Sequence, residues 1–324
     1  MAVKPTPEYI TLLNQAVSRE FQVSLQYMLQ HAKMEKLIRK IIPENILLDK
    51  TTYDAVGKFL KEFGIAEMKH AADIMERIYY LGGEATTTAS KVKIGNSLSE
   101  FSMLGVKAEE EALELYRKII DEAGNLDWET RELFEKIYGE EEKHLFKFQE
   151  YVNMEDENES TEGPVSEWRQ IFTSDYFELL NRAVAAEISA IIQYTIQHEK
   201  ATVLGLRQKK TPLEVVKESN KAKVVSDLLK PIFRSEMEHL EKIAERIYLL
   251  EGEASWIPDP LPQIGDTPED FLKLDHEAEN YALMLYRKII NEALKRGDTK
   301  TRVMFEEIIS QEEDHYWTFD DYAR

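Results

Sequence analysis

The chain has 324 residues, 43% of them apolar and 31% charged, with a formal net charge of -20 and no cysteine. Its length predicts about two domains; the lack of Cys excludes disulfides, thiolate zinc sites and iron–sulfur clusters, and the charge argues against a nucleic-acid partner. No run approaches the roughly 18 apolar residues of a membrane span, and Met1-Ala2-Val3-Lys4-Pro5 carries no apolar signal segment, so the expectation is a cytoplasmic protein with no membrane partner.

Pro and Gly are sparse and β-branched alternation is nearly absent, so helical periodicity dominates and an all-α fold is expected. Helix A is predicted from about Pro7 to Lys36, with Leu12, Leu13, Ala16, Val17, Phe21, Leu25 and Met28 at three- to four-residue spacing. Helix B runs from about Thr52 to Leu81 and stops at Gly82-Gly83. A long polar connection through Ile94-Gly95-Asn96 leads to helix C, about Leu98 to Ala123. Helix D spans about Asp127 to Val152, with Asp127 as N-cap. Residues 153–165 read as an exposed acidic linker. The expected organisation is domain 1 over 1–152, a linker over 153–172 and domain 2 over 173–324.

The pattern then starts again. Leu179-Leu180-Asn181 repeats Leu12-Leu13-Asn14, Gln193-Tyr194 repeats Gln26-Tyr27, Glu245-Arg246-Ile247-Tyr248 repeats Glu76-Arg77-Ile78-Tyr79, and Leu285-Tyr286-Arg287 repeats Leu115-Tyr116-Arg117. The offset drifts only from 167 to 171, so the duplication is nearly free of gaps over the matched segments. The connection between the first two helices is the least similar part, with Arg207-Gln208-Lys209-Lys210-Thr211-Pro212 in the second half. Pro231 falls inside the second helix B and predicts a kink or a helix start.

Four of the seven histidines follow a Glu by three residues: Glu67 with His70, Glu141 with His144, Glu236 with His239, and Glu312 with His315. On a helix, positions i and i+3 share a face. A four-helix bundle with two such pairs, plus one Glu from each remaining helix, builds a di-metal carboxylate site. Helix A supplies Glu20, matched by Glu187. Helix C offers Glu109, Glu110 and Glu111, but the aligned positions are Glu279, Asn280 and Tyr281, so only Glu109 stays Glu in both halves. The expected ligand sets are Glu20, Glu67, His70, Glu109, Glu141 and His144, and Glu187, Glu236, His239, Glu279, Glu312 and His315. The paired helices make Glu67 and Glu236, or Glu141 and Glu312, the expected bridging ligands. Carboxylate and imidazole donors suit iron or manganese. Part of the acidic balance is then held for cations: four divalent ions would bring -20 to -12. A solvated acidic surface is the other source of that charge.

At these residues the chain resembles bacterioferritin and the wider ferritin-like di-iron carboxylate proteins. The resemblance rests on Glu-x-x-x-x-x-Gln-Tyr of helix A, Glu-Met-Lys-His-Ala of helix B, Arg-Ile-Tyr-Tyr-Leu-Gly-Gly, the Ile-Gly-Asn turn and Glu-Glu-Glu-Lys-His of helix D. It covers both halves apart from the linker and the A–B connection. It implies two tandem ferritin-like four-helix bundles packed as a pseudo-twofold pair. It further implies two irons per half and oxidation of Fe(II) with O2 or H2O2, with iron storage or detoxification as the role and a homo-oligomer as a compatible assembly. A peroxidase or manganese-catalase-like oxidoreductase and a non-enzymatic iron-binding protein are the alternatives.

Tyr27 and Tyr194 match the family's tyrosine beside the site; a buried core aromatic is the plainer reading. Met68 and Met237 match the methionine that ligates a shared haem in bacterioferritin, and soft interface packing is their plainer reading. The family's tryptophan three residues after the helix-D His is Lys147 or Thr318 here, and no short fifth helix follows helix D, which weakens the expectation of a cage. His31 and His198 also align, roughly 16 Å along the helix from the ligand Glu; they are read as hydrogen-bonded packing or as lining an access path. His276 has no counterpart and is expected at the surface.

Overall fold

A computed structural model describes residues 5–39, 46–124, 126–152, 172–207 and 212–323. Among the described residues there are eight α-helices and no strand: α1 Pro7–Ile38, α2 Ile46–Leu81, α3 Leu98–Ala123, α4 Trp128–Gln149, α5 Ser174–Arg207, α6 Pro212–Leu249, α7 Pro268–Arg296 and α8 Thr299–Ala323. No helix is long and apolar enough to cross a membrane among these residues. The chain divides into two compact units, Met1–Thr161 and Glu162–Arg324.

Each unit is a four-helix bundle. In the first, α1 pairs with α2 and α3 with α4, and α1–α3 and α2–α4 contacts close the bundle; α5 to α8 repeat the scheme. Local chemistry sets the helix ends. Thr6 caps α1 by accepting from the Tyr9 N–H, with Pro7 in the first turn, and Ser97 caps α3 by accepting from the Glu100 N–H. Gly124 and Gly297 end α3 and α7 at φ 51° and 73°, a region a side chain disfavours.

The long connection between α2 and α3 lies along α1. Asn14 donates to the Glu84 carbonyl at 2.9 Å and accepts from the Thr86 N–H at 2.7 Å; farther on, Gln30 donates to the Ile94 carbonyl at 2.9 Å and Lys33 to the Gly95 carbonyl at 3.0 Å. The crossover thus returns from the start of α1 to its end, and α2 and α3 run parallel. Asn181 repeats the anchor, donating to the Glu253 carbonyl at 3.0 Å and accepting from the Ser255 N–H at 2.6 Å.

At the far end of each bundle one aspartate joins three helices. Asp127 caps α4 by accepting from the Thr130 N–H at 3.2 Å, and it also accepts from the Tyr9 hydroxyl of α1 at 3.1 Å and from the Arg77 guanidinium of α2. Asp298 repeats this with Thr301, Tyr176 and Arg246, at 3.1, 3.0 and 2.7 Å. Burial raises the Asp127 carboxyl, but hydrogen bonds from Thr130 and the charge of Arg77 outweigh it and hold the group below its usual range.

Some expected boundaries shift. α2 starts at Ile46, ahead of the expected Thr52, and α4 ends at Gln149, short of Val152. Pro231 is not a helix start: α6 continues through it. Pro231 and Asp227, whose carbonyl loses its i+4 donor, both lie on the exposed side, where water replaces the missing bond. The acidic linker of residues 153–165 and residues 208–211 of the second A–B connection lie outside the described residues.

Asp127→Ala removes both a cap and the partner of a largely buried arginine. It is expected to lower stability by about 2–4 kcal/mol at pH 7 in a denaturant titration. Because the folded carboxyl titrates below its unfolded value of about 3.9, the difference from wild type persists down to roughly pH 4 and closes as the pH falls further, through the depressed folded value.

Candidate metal centres

The six expected ligands of each half converge in the bundle interior, each helix contributing from one face. Glu20 of α1, Glu67 and His70 of α2, Glu109 of α3, and Glu141 of α4 are all about 1% exposed, and His144 is 6% exposed. The second half repeats this with Glu187, Glu236, His239, Glu279 and Glu312 buried and His315 slightly exposed. On α3 the neighbouring Glu110 and Glu111 are exposed, so the helix turns only Glu109 inward.

The donors sort into two overlapping groups per bundle. One contains Glu20, Glu67, His70 and Glu141 and the other Glu67, Glu109, Glu141 and His144; within each, one donor atom from every residue lies within 4.8 Å of the others. Glu67 and Glu141 belong to both groups, so the geometry supports both as bridging positions rather than one or the other. Glu236 and Glu312 are shared in the same way between the Glu187–His239 and Glu279–His315 groups.

The imidazoles face inward through Nδ1. His70 Nδ1 is 3.0 Å from Glu67 Oε2 and 3.0 Å from Glu141 Oε1; His144 Nδ1 is 2.8 Å from Glu67 Oε1 and 2.9 Å from Glu141 Oε2. His239 and His315 repeat these contacts with Glu236 and Glu312 at 2.9–3.1 Å. On the outer side His70 Nε2 lies 2.8 Å from Glu140 Oε2, and His239 Nε2 lies 2.9 Å from Gln311 Oε1. A partner accepting at Nε2 orients the ring, so that once Nδ1 gives up its proton its lone pair faces the cluster. Glu140 and Gln311 escaped the sequence reading; their signal was a polar residue directly before the helix-D Glu in both halves.

Electrostatics reflects this crowding. Burial drives Glu20, Glu109, Glu187 and Glu279 well above the ordinary carboxylate range, and neighbouring shared carboxylates push them further. Burial also raises Glu67 and Glu236, but hydrogen bonds from their two imidazoles outweigh it and hold both far below that range. Burial lowers the imidazoles, yet the hydrogen bonds they donate to the shared carboxylates carry His144 up to about 10, His239 to about 12 and His315 to about 9, and raise His70 furthest. The buried Glu20 Oε1 has no hydrogen-bond partner. Closely spaced carboxylate oxygens and imidazole nitrogens in a dry core fit two hard divalent cations per bundle.

Tyr27 donates to Glu109 across the bundle, and Tyr194 donates to Glu279 at 2.7 Å. A second tyrosine pair was missed. Tyr286 donates to Glu187, while its counterpart Tyr116 is fully buried with its hydroxyl unpartnered. The signal was present in the spacing: Tyr27, Tyr116, Tyr194 and Tyr286 each follow a ligand Glu by seven residues. His31 and His198 are hydrogen-bonded packing histidines, each with Nδ1 2.7 Å from a carbonyl, of Gly57 and Ser226. His276 corrects the surface expectation: it is half-buried, 4.2 Å from the Tyr316 ring and 3.8 Å from Asp320. Met68 and Met237, each next to a ligand Glu, are 3% and 5% exposed.

Comparison with known proteins follows the same division. The model of the ferritin-like domain family matches residues 10–156 and 214–324. Bacterioferritin of Rhodobacter capsulatus is 32% identical over 139 residues, 43% of this chain and 76% of that protein. Bacterioferritin of Desulfovibrio desulfuricans is 33% identical over 140 residues, 42% and 69% of the two chains. Bacterioferritin of Brucella melitensis biotype 1 is 29% identical over 147 residues, 44% and 81%. Each alignment covers less than half of this chain, about the length of one bundle.

Since the metal-free imidazoles hold protons that metal ligation must displace, filling both centres at pH 7 is expected to release at least four protons per chain, one from each of His70, His144, His239 and His315. Titration calorimetry with zinc in buffers of different ionisation enthalpy measures this number, and loading should strengthen as pH rises.

Proposed function

This chain belongs to the ferritin-like family as a tandem duplication of its bundle, and from that premise we propose that it binds two irons in each half and oxidises Fe(II) with O2 or H2O2. The observation that carries the proposal is the recurrence of a complete, buried set of four Glu and two His in both bundles. A pair of irons supplies two electrons together. Two Fe(II) become two Fe(III) as H2O2 and two protons give two waters, or as O2 and two protons give H2O2.

The residues divide that work. Glu67 and Glu141, and Glu236 and Glu312, hold the two positions at a fixed spacing by belonging to both. The terminal pairs Glu20–His70, Glu109–His144, Glu187–His239 and Glu279–His315 complete each position. Glu140 and Gln311 hold the outer nitrogens of His70 and His239, so these rings keep Nδ1 aimed inward. Tyr27 and Tyr194 orient Glu109 and Glu279 and place a hydroxyl proton beside the cluster. Burial of its six ligands keeps the first cluster away from bulk water.

The test is stopped-flow oxidation of Fe(II) added to metal-free protein. Glu109→Ala combined with Glu279→Ala is expected to slow oxidation at least about tenfold; an unchanged rate would remove catalysis from these centres. Prolonged aerobic loading separates roles: many irons per chain support storage, and saturation at four with continued turnover supports a peroxidase or oxidase. Haem ligation by Met68 and Met237 is a proposal on the resemblance alone. Both thioethers are buried, so haem uptake must displace what covers them. Reconstituted protein without bis-thioether Soret absorption, or a Met68→Leu variant that keeps it, removes that proposal.

A further inference from the structure

The two centres differ beside their ligands at Arg19 against Ala186, as well as at Glu140 against Gln311. In the second half a cavity of about 30 Å³ adjoins the cluster, lined by Ala186, Ala190, Tyr194 and Ala282 together with the ligands Glu187 and Glu279. The repeat offset of 167 places Arg19 where Ala186 stands. Arg19 directly precedes the ligand Glu20 on α1, is only 7% exposed, and has Nε, Nη1 and Nη2 all buried without a hydrogen-bond partner. Its charge is felt by Glu109 and by the Tyr27 hydroxyl, whose upward shifts it opposes.

A guanidinium carries five N–H donors and keeps its proton at any ordinary pH. Unpaired in a dry core it is strongly destabilising, and an anion is the partner that offsets this. Four ionised Glu and two divalent cations cancel in either half; beside them the first carries the buried Arg19 and, on the outer nitrogen of His70, the partly exposed Glu140, where the second has the uncharged Ala186 and Gln311. A single guanidinium in a buried position suits a small monovalent anion.

We propose that the metal-loaded first centre binds one small monovalent anion against the Arg19 guanidinium and that the second centre does not. The proposal rests on the reading of both bundles as metal centres. It makes the duplicated halves chemically unequal, one anion-accepting, the other with a cavity lined by Ala186.

Crystals of the zinc-loaded full chain soaked in sodium bromide test it, with zinc and bromine located by anomalous scattering at their separate edges. The expected result is a bromide within hydrogen-bond distance of Arg19 and none beside Ala186. Arg19→Met should abolish the first bromide, and Ala186→Arg should create one in the second half. Four zinc ions with no bromide at Arg19, equal bromide at both centres, or a bromide that survives Arg19→Met would each overturn the proposal while leaving the metal reading intact. Failure of zinc to load either centre would instead remove the metal reading and this proposal with it. Circular dichroism checks that Arg19→Met folds; if it does not, the presence or absence of bromide in Ala186→Arg decides.

Discussion

Each bundle buries four carboxylates and two imidazoles where water cannot screen them, and this constraint governs the rest of the molecule. Two like charges about 4 Å apart repel by about 4 kcal/mol at an effective dielectric of about 20. Glu20, Glu67 and Glu141 each place an oxygen within 4.8 Å of the others, as do Glu67, Glu109 and Glu141 and the matching sets of the second half. The metal-free fold tolerates the crowding by distributing protons. The imidazoles hold theirs and pair with the shared carboxylates, while Glu20, Glu109, Glu187 and Glu279 are pushed toward the neutral form. Divalent cations neutralise the same oxygens directly, so the cluster is arranged for an occupant stronger than a proton.

Holding that arrangement requires rigid helices with fixed rotation about their axes. The aspartate junctions at Asp127 and Asp298 tie three helices together at one end of each bundle. The crossover is clamped along α1 by Asn14, Gln30 and Lys33. Between these fixtures, aromatic packing fills the first core: Tyr27, Phe59 and Phe148 are all buried there, and the Tyr27 and Phe148 rings lie 5.0 Å apart. Tyr27 belongs to both systems, packing with its ring and binding Glu109 with its hydroxyl.

Much of this was legible in the sequence because periodicity and duplication report on different things. Periodicity located the helices. The repeat picked Glu109 out of three consecutive glutamates, and burial agrees, since Glu110 and Glu111 point outward. What escaped lay in contacts between helices. The Tyr286–Glu187 bond joins residues 99 apart, and the glutamate or glutamine on the outer nitrogen of His70 or His239 comes from another helix. Pro231 does not start a helix, because it sits on an exposed face of α6 and the helix runs through it. His276 misled because a histidine without a repeat partner can still find a ring, here Tyr316, to pack on.

The duplication also explains how the halves diverge at Arg19 and Ala186 while their ligand sets stay the same. On the proposed reading the ligands answer to two metals, whereas the residue one position earlier differs, Arg19 against Ala186. The central claim, that both bundles are complete di-metal centres, is tested most directly by counting metal on protein purified from its native source and locating it by anomalous diffraction. The account predicts four ions per chain, in two pairs, each pair bridged by Glu67 and Glu141 or by Glu236 and Glu312. A count of two or fewer, or metal bound elsewhere on the acidic surface, would contradict it.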